Sequence, residues 1–327
     1  MRIVVLGAAG FLGRHLVRHL VAAKHDVLAV DRHHFMAPGA KVVVADLTDK
    51  AQCNAALASP CDRLYQFAAE MGGAGYIFTG KNDYQILSIS TIINLNVLDC
   101  IRTLPDVRVL FASSACVYPI ERQSALETLS CAEDVAYPAN PDSEYGWQKL
   151  FSERLFLASA ADTGISCRIA RLHNVYGPDC SWNDGREKAP AAICRKVALA
   201  PEGGAVDVWG TGQQSRSFLY VDDFISAITK LMESTYSGPM NIGSTEMISI
   251  NALAQMVIDI SGKQLRIRNT AGPVGVQYRV SSNILAERHL GWHTETQLAD
   301  GLKNTYNWIA QQASQYRLET MTSRTRA

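Results

Sequence analysis

The chain opens on an apolar run at 3–6, meets glycine at once, and then places Leu16, Val17, Leu20 and Val21 at helical spacing. A short apolar run closed by a glycine-rich turn predicts a buried strand, and recurrence at i, i+3 and i+4 predicts an amphipathic helix. Further apolar runs at 27–30, 42–45, 64–68, 107–112 and 165–171 predict more strands, with helical patterns between them. Long helices are expected at about 82–103 and from Glu144 to about 160. Strands alternating with helices predict an α/β fold with a doubly wound parallel sheet of the Rossmann type. Past residue 176 the pattern is irregular. A helix opens within 185–192 and carries Arg195 and Lys196; a short strand follows at 206–210. A capped helix start is expected at 220–223, a last sheet strand at 240–243, and helices at about 250–262 and 298–313.

Composition narrows the class. With 47% hydrophobic and 19% charged residues over 327, the chain can build a sizeable core. The 31 basic and 31 acidic residues balance, so no overall field draws nucleic acid or an anionic membrane. Eight cysteines without a C-x-x-C pair predict reduced thiols and no metal site. The opening apolar run is too short for a signal peptide, and no later stretch is expected to span a bilayer. A cytoplasmic protein is expected.

The first turn, Gly7-Ala8-Ala9-Gly10-Phe11-Leu12-Gly13, lies between a strand and a helix. Its glycines let the backbone approach a pyrophosphate at the helix N-terminus. Asp31 ends the second strand, where a carboxylate bonds ribose hydroxyls and repels a 2′-phosphate, so NAD is the expected cofactor. The three-and-three glycine spacing resembles the short-chain dehydrogenase/reductase superfamily, especially its extended branch acting on sugar nucleotides. In that branch Asp46, beside Leu47, contacts adenine; its alternative role is N-cap of the helix starting near Asp49. Ala68 and Ala69 are expected to line the cofactor. The loop carrying Gly72 and Gly73 is expected to press its backbone against a sugar ring.

The fifth strand ends in Ser113-Ser114-Ala115-Cys116. Tyr145 and Lys149, four apart, share a helical face. A nearby ammonium is expected to lower the phenol's pKa and make it a base near neutral pH. Cys116 is either a working thiol or a packed one. Lys188, Arg195, Lys196, Arg216 and Arg279 are the cations that a diphosphate would need.

Four longer runs resemble the GDP-mannose 3,5-epimerase family: Met71-Gly72-Gly73, 112–119, His173-Asn174-Val175-Tyr176-Gly177-Pro178 and 185–192. So do Gln214-Ser215-Arg216-Ser217-Phe218, 241–244 and Gly272-Pro273, and the similarity runs from Met1 to about Gln311. The resemblance implies transient oxidation of C4 of a GDP-sugar, with Tyr145 as base and Lys149 and Ser114 or Ser113 in support. It implies Cys116 and Lys188 as the acid–base pair at C3 and C5. Gly72, Gly73, Ser113, Ser114, Asn174, Glu187, Ala189, Lys196, Gln214, Arg216 and Arg279 would hold the sugar and its diphosphate. It also implies a homodimer through the two long helices, and a division of the chain. Residues 1–176 would bind NAD, with 218–243 returning to that unit. Residues 177–217 and 244–315 would form a smaller α/β sugar-nucleotide domain, ahead of a fraying polar tail at 316–327. The sequence departs from the family at Ala74, Ile89, Gln277 and Ser282. These changes leave open another glycosyl group, such as a heptose or octose, and another epimerisation site, C4 included. A non-catalytic NAD-binding protein is the alternative outside enzymology.

Overall fold

A computed structural model describes residues 1–102, 104, 106–124 and 131–325. The N-terminal half alternates as the apolar runs require: β1 Arg2–Leu6, α1 Phe11–Ala22, β2 Asp26–Asp31, β3 Lys41–Val44, α2 Lys50–Ala56, β4 Arg63–Gln66. There follow α3 Ala74–Ile77, α4 Asp83–Ile101, β5 Arg108–Ser114, α5 Glu144–Thr163, β6 Ser166–Leu172, β7 Val175–Tyr176 and α6 Ala189–Leu199. The remainder is β8 Ala205–Trp209, β9 Ser215–Ser217, β10 Leu219–Tyr220, α7 Val221–Glu233, β11 Pro239–Ile242, β12 Met247–Ser249 and α8 Ile250–Ser261. The chain closes with β13 Arg266–Thr270, β14 Tyr278–Arg279, α9 Ile284–Leu290 and α10 Leu298–Thr325.

The main sheet runs in the order β11-β6-β5-β4-β1-β2-β3, every neighbouring pair parallel. Its strands are near-continuous Val/Ile/Leu runs because helices cover both faces. The order reverses between β1 and β4, the crevice where such sheets bind ligands at their carboxyl ends. A smaller C-terminal α/β domain carries β12-β9-β14 and β13-β8. In it β9 and β14 pair in parallel, setting Arg216 opposite Arg279.

Several expectations change at this level. Asp46 does not cap α2: Asp49 does, accepting the N–H of Gln52 at 3.0 Å, while Asp46 folds onto Thr48. The N-cap of α7 is Tyr220, which makes no side-chain cap, and Asp223 in the first turn accepts from the N–H groups of Glu295 and Thr296. The segment 316–325 continues α10 as helix. Contrary to expectation, α4 is long and apolar enough to cross a membrane. Its inner face instead packs into the sheet-side core, where buried Asn94 bonds Gln66 and Ser152. All eight cysteines are free thiols.

Behind the site, β6 and β11 enclose a polar cluster. Arg171 forms a buried ion pair with Glu153, and the Nε2 of His173 bonds Asn241 at 3.0 Å. Burial holds the His173 imidazole down to about 3, so it stays neutral in the folded chain. The unfolded chain binds that proton below the ordinary value near 6.5, so stability falls as pH drops from about 6.5 towards 3. We expect thermal unfolding across that window to lose on the order of 5 kcal/mol on this account. His173→Gln should flatten the slope.

Candidate active site

A cleft of about 240 Å³ opens at the carboxyl end of the sheet, between β5, the loop after β4 and the smaller domain. The last residue of β5, Ser114, turns the chain: its Oγ accepts the N–H of Cys116 at 3.1 Å and caps a single helical turn, Ala115–Val117. Ser143 caps α5 and so places Tyr145 in its first turn. A Cβ on Gly146 would lie 2.2 Å from the Cys116 carbonyl oxygen, so only glycine lets α5 approach this closely. Ser114, Cys116 and Tyr145 therefore share one wall.

Lys188 comes from the other side, at the N-cap of α6, where Pro190 sits in a first turn that needs no N–H from it. The loop before it is pinned to the glycine loop. Gly73 N–H donates to Arg186 O at 2.9 Å, and a Cβ on Gly73 would meet the Glu187 carbonyl oxygen at 2.1 Å. Arg186 also reaches buried Glu70 at 2.7 Å, which accepts from Tyr76 Oη as well. Neither Glu70 nor Arg186 was an expected site residue. Arg186 lies inside the diagnostic 185–192 run, the one sequence signal that pointed near it.

Electrostatics differ from expectation. Lys149 does not address the phenol: its Nζ donates to Ala112 O at 2.8 Å and lies 5.7 Å from the Tyr145 ring centre. Burial raises the Tyr145 phenol well above its ordinary value, the Cys116 side adds to this, and the bond to Ser114 works against it. Burial lowers Lys149 to about 8. It also pushes the Cys116 thiol up, against the pull of Arg279, and draws Lys188 down. The expected lowering of the phenol is thus not found, because Lys149 turns to Ala112 and desolvation dominates; desolvation of a thiolate likewise outweighs the cations near Cys116.

The cleft brings together Gly72, Gly73, Asn174, Glu187, Ala189, Lys196, Gln214, Arg216 and Arg279 as well. Ser113 is not among them. Strand alternation points it to the opposite face, where its hydroxyl donates to Glu153. Of the four departures, only Ala74 lines the cleft: Ile89 packs against the sheet-side core, and Gln277 and Ser282 offer backbone carbonyls to Arg216 and Asn241. The two arginines expected on a diphosphate have internal partners. Arg216 donates to the carbonyls of Ser215, Val274, Val276 and Gln277, and burial lowers it to about 9. Arg279 donates to Cys116, Gln123 and Asp142.

The profile of the NAD dependent epimerase/dehydratase family matches residues 3–243. The chain belongs to that family. GDP-mannose 3,5-epimerase 1 of Oryza sativa subsp. indica is 38% identical over 318 residues, 95% of this chain and 82% of the relative. The Arabidopsis thaliana GDP-mannose 3,5-epimerase is 38% identical over 317 residues, covering 95% and 83%. UDP-glucose 4-epimerase of Thermotoga maritima superposes with a TM-score of 0.85 over 95% of this chain and 99% of its own, at 22% identity, and so shares the fold. The protein is an NAD-dependent sugar-nucleotide epimerase standing with the GDP-mannose 3,5-epimerases.

The first turn of this epimerase suits NAD. Gly10 caps α1 without a side chain, leaving the N–H groups of Phe11, Leu12 and Gly13 without helical partners. A Cβ on Gly7 would lie 2.7 Å from Ala68 N, and one on Gly13 would lie 2.2 Å from Gly7 O, so the turn closes only with glycine. Both Asp31 oxygens are fixed, one by Ala9 N–H and one by His33 N–H, each at 3.0 Å.

Proposed function

We propose that this epimerase acts on GDP-mannose or a closely related GDP-sugar, inverting C3 and C5 through a transient C4 ketone. The observation that carries the reading is that Cys116 and Lys188 line one cleft with Tyr145, and that burial shifts the two in opposite directions. Burial disfavours the charged form of each, the Cys116 thiolate and the Lys188 ammonium. A thiol and an amine in one cleft are the two proton-carrying groups that a two-sided acid–base exchange needs.

Gly7, Gly10, Phe11, Leu12, Gly13, Asp31, Asp46, Leu47, Ala68 and Ala69 would hold NAD, which when bound would supply reversible hydride acceptance at C4. Tyr145 takes the C4 hydroxyl proton, Ser114 steadies that oxygen, and Lys149 supports the tyrosine's helix turn from Ala112. A ketone at C4 acidifies the C3 and C5 protons because the electron pair left behind delocalises as an enolate. One member of the Cys116/Lys188 pair removes the proton from one face, and the other returns one to the opposite face. Gly72, Gly73, Asn174, Glu187, Ala189, Lys196 and Gln214 hold the sugar nucleotide. Ala74 gives extra room beside the sugar loop, which favours a larger glycosyl group as the second reading.

Cys116→Ala tests the reading. In D₂O with GDP-mannose, the variant should lose deuterium uptake at C3 and C5 about 10²-fold or more while still binding NAD. Uptake at the parent rate would leave Cys116 a packing thiol.

We also infer a homodimer. Ile92 and Leu95 on α4, with Trp147 and Phe151 on α5, are each 41–51% exposed on adjoining helices, an apolar stripe that a second copy of the chain covers. Light scattering should give twice the chain mass. Leu95→Glu combined with Phe151→Glu should give the single-chain mass with NAD binding retained.

A further inference from the structure

Glu70 lies just past β4 with 4% of its surface exposed, and its carboxylate ties together the end of β2, the sugar loop with α3, and the chain ahead of α6. Its Oε1 accepts from Tyr76 Oη and from Arg186 Nη1, each at 2.7 Å, and its Oε2 lies 3.5 Å from Arg32 Nη2. Its own N–H donates to Ser90 Oγ on α4 at 3.0 Å, which fixes the backbone that carries the acceptor. The Arg186 guanidinium covers the Tyr76 ring at 4.3 Å, and Nη1 also donates to Met71 O at 3.4 Å. Tyr76 and Met71 pack in turn against the apolar cluster that holds Cys116 and Tyr145.

Lys188 stands two residues beyond Arg186. The chain over 177–188 is neither helix nor strand, and Gly185 within it has a φ of +79° with nothing within 4 Å of where a Cβ would stand. A segment this open takes its shape from what it touches. The Lys188 side chain does not cap α6, and a lysine stem is flexible. Around Arg186 the anchors are Gly73 N–H on Arg186 O at 2.9 Å and the Arg186 side chain on Glu70. Stability gives a weak reason for that ion pair, because the arginine side chain is 39% exposed and such pairs contribute little. Placement gives a stronger one. A planar guanidinium held by a carboxylate, a carbonyl and a ring face has one orientation, and it fixes the backbone just before the amine.

We propose that Glu70 and Arg186 are positioning residues: together they hold the segment ahead of α6 against the sugar loop and so set where Lys188 meets the sugar ring. This rests on the reading of Lys188 as an acid–base group. Neither Glu70 nor Arg186 carries a proton in the reaction. Burial works against the Glu70 carboxylate, but Tyr76 and the two arginines outweigh it and hold the carboxyl below its ordinary value, so the pair stays charged.

The test compares Glu70→Gln, Lys188→Met and the two combined, with GDP-mannose in D₂O, reading inversion by NMR and deuterium by mass spectrometry. Glutamine keeps the shape of the side chain and removes its charge. Glu70→Gln should lower inversion about 10- to 10²-fold with uptake falling less, the Lys188→Met pattern in weaker form. On the Lys188→Met background the same change should lower either rate no more than about twofold, because a support for an absent amine has nothing to hold. Arg186→Gln, at a half-exposed position, should repeat both results, and Arg186→Lys should recover part of the inversion. Losses that multiply in the combined variants would overturn the proposal. So would parent-rate inversion in Glu70→Gln and Arg186→Gln, or a ratio of inversion to uptake in them that departs from the parent in a direction other than that of Lys188→Met. Lys188→Met alone judges the acid–base reading separately, since the combined variants report whether Glu70 acts through Lys188 whichever step Lys188 serves.

Discussion

Replacing Tyr145 by Phe is expected to stop the reaction before any carbon is deprotonated. The residue sits in the first turn of α5 because Ser143 caps the helix and Gly146 lets it close on Cys116. Its phenolic oxygen is the group on that wall placed to accept the proton of the C4 hydroxyl, with Ser114 alongside. Loss of a positioned general base lowers such a step about 10²–10⁴-fold. The measurement is absorbance of reduced nicotinamide after mixing with GDP-mannose, followed by deuterium uptake at C3 and C5. Both should fall together, since the ketone that acidifies those carbons never forms. In the parent enzyme the oxidation should speed up as pH rises through the alkaline range, because burial holds the phenol protonated.

The second large effect is expected for Lys188→Met, and its signature differs. Lys188 caps α6, with the backbone before it tied to Gly73 and the side chain of Arg186 tied to Glu70. Methionine keeps the apolar stem and removes the proton-carrying amine. Hydride transfer at C4 should persist, and Cys116 can still take a proton from its own face and return one there. Net inversion should therefore fall about 10²–10⁴-fold while some deuterium uptake continues with retained configuration. Equal loss of uptake and inversion would place Lys188 in binding or in both proton transfers.

The parts of this picture legible in the sequence are those set by local pattern. β1, α1 and β2 follow from apolar period and glycine spacing, and the Tyr145/Lys149 pair follows from helix geometry. The short strands β12 and β13 and the helix α9 went unread, since runs so short carry little period. Ser113 and Ser114 could have been separated by alternation alone, because neighbours on a strand face opposite ways. Arg279 could not. Its partners Cys116, Gln123 and Asp142 lie 163, 156 and 137 residues away, so the motif names the arginine but not what it touches. Burial is equally non-local. It raises the Tyr145 phenol, where the nearby Lys149 in the sequence pointed downward, and it raises the Cys116 thiol as well.

The most direct measurement is one incubation of the NAD-loaded enzyme with GDP-mannose in D₂O, read by NMR for configuration and by mass spectrometry for deuterium. The account predicts deuterium at C3 and C5 with inversion there. Inversion at C4 with no deuterium at C3 or C5 would contradict it and leave Cys116 and Lys188 outside the chemistry.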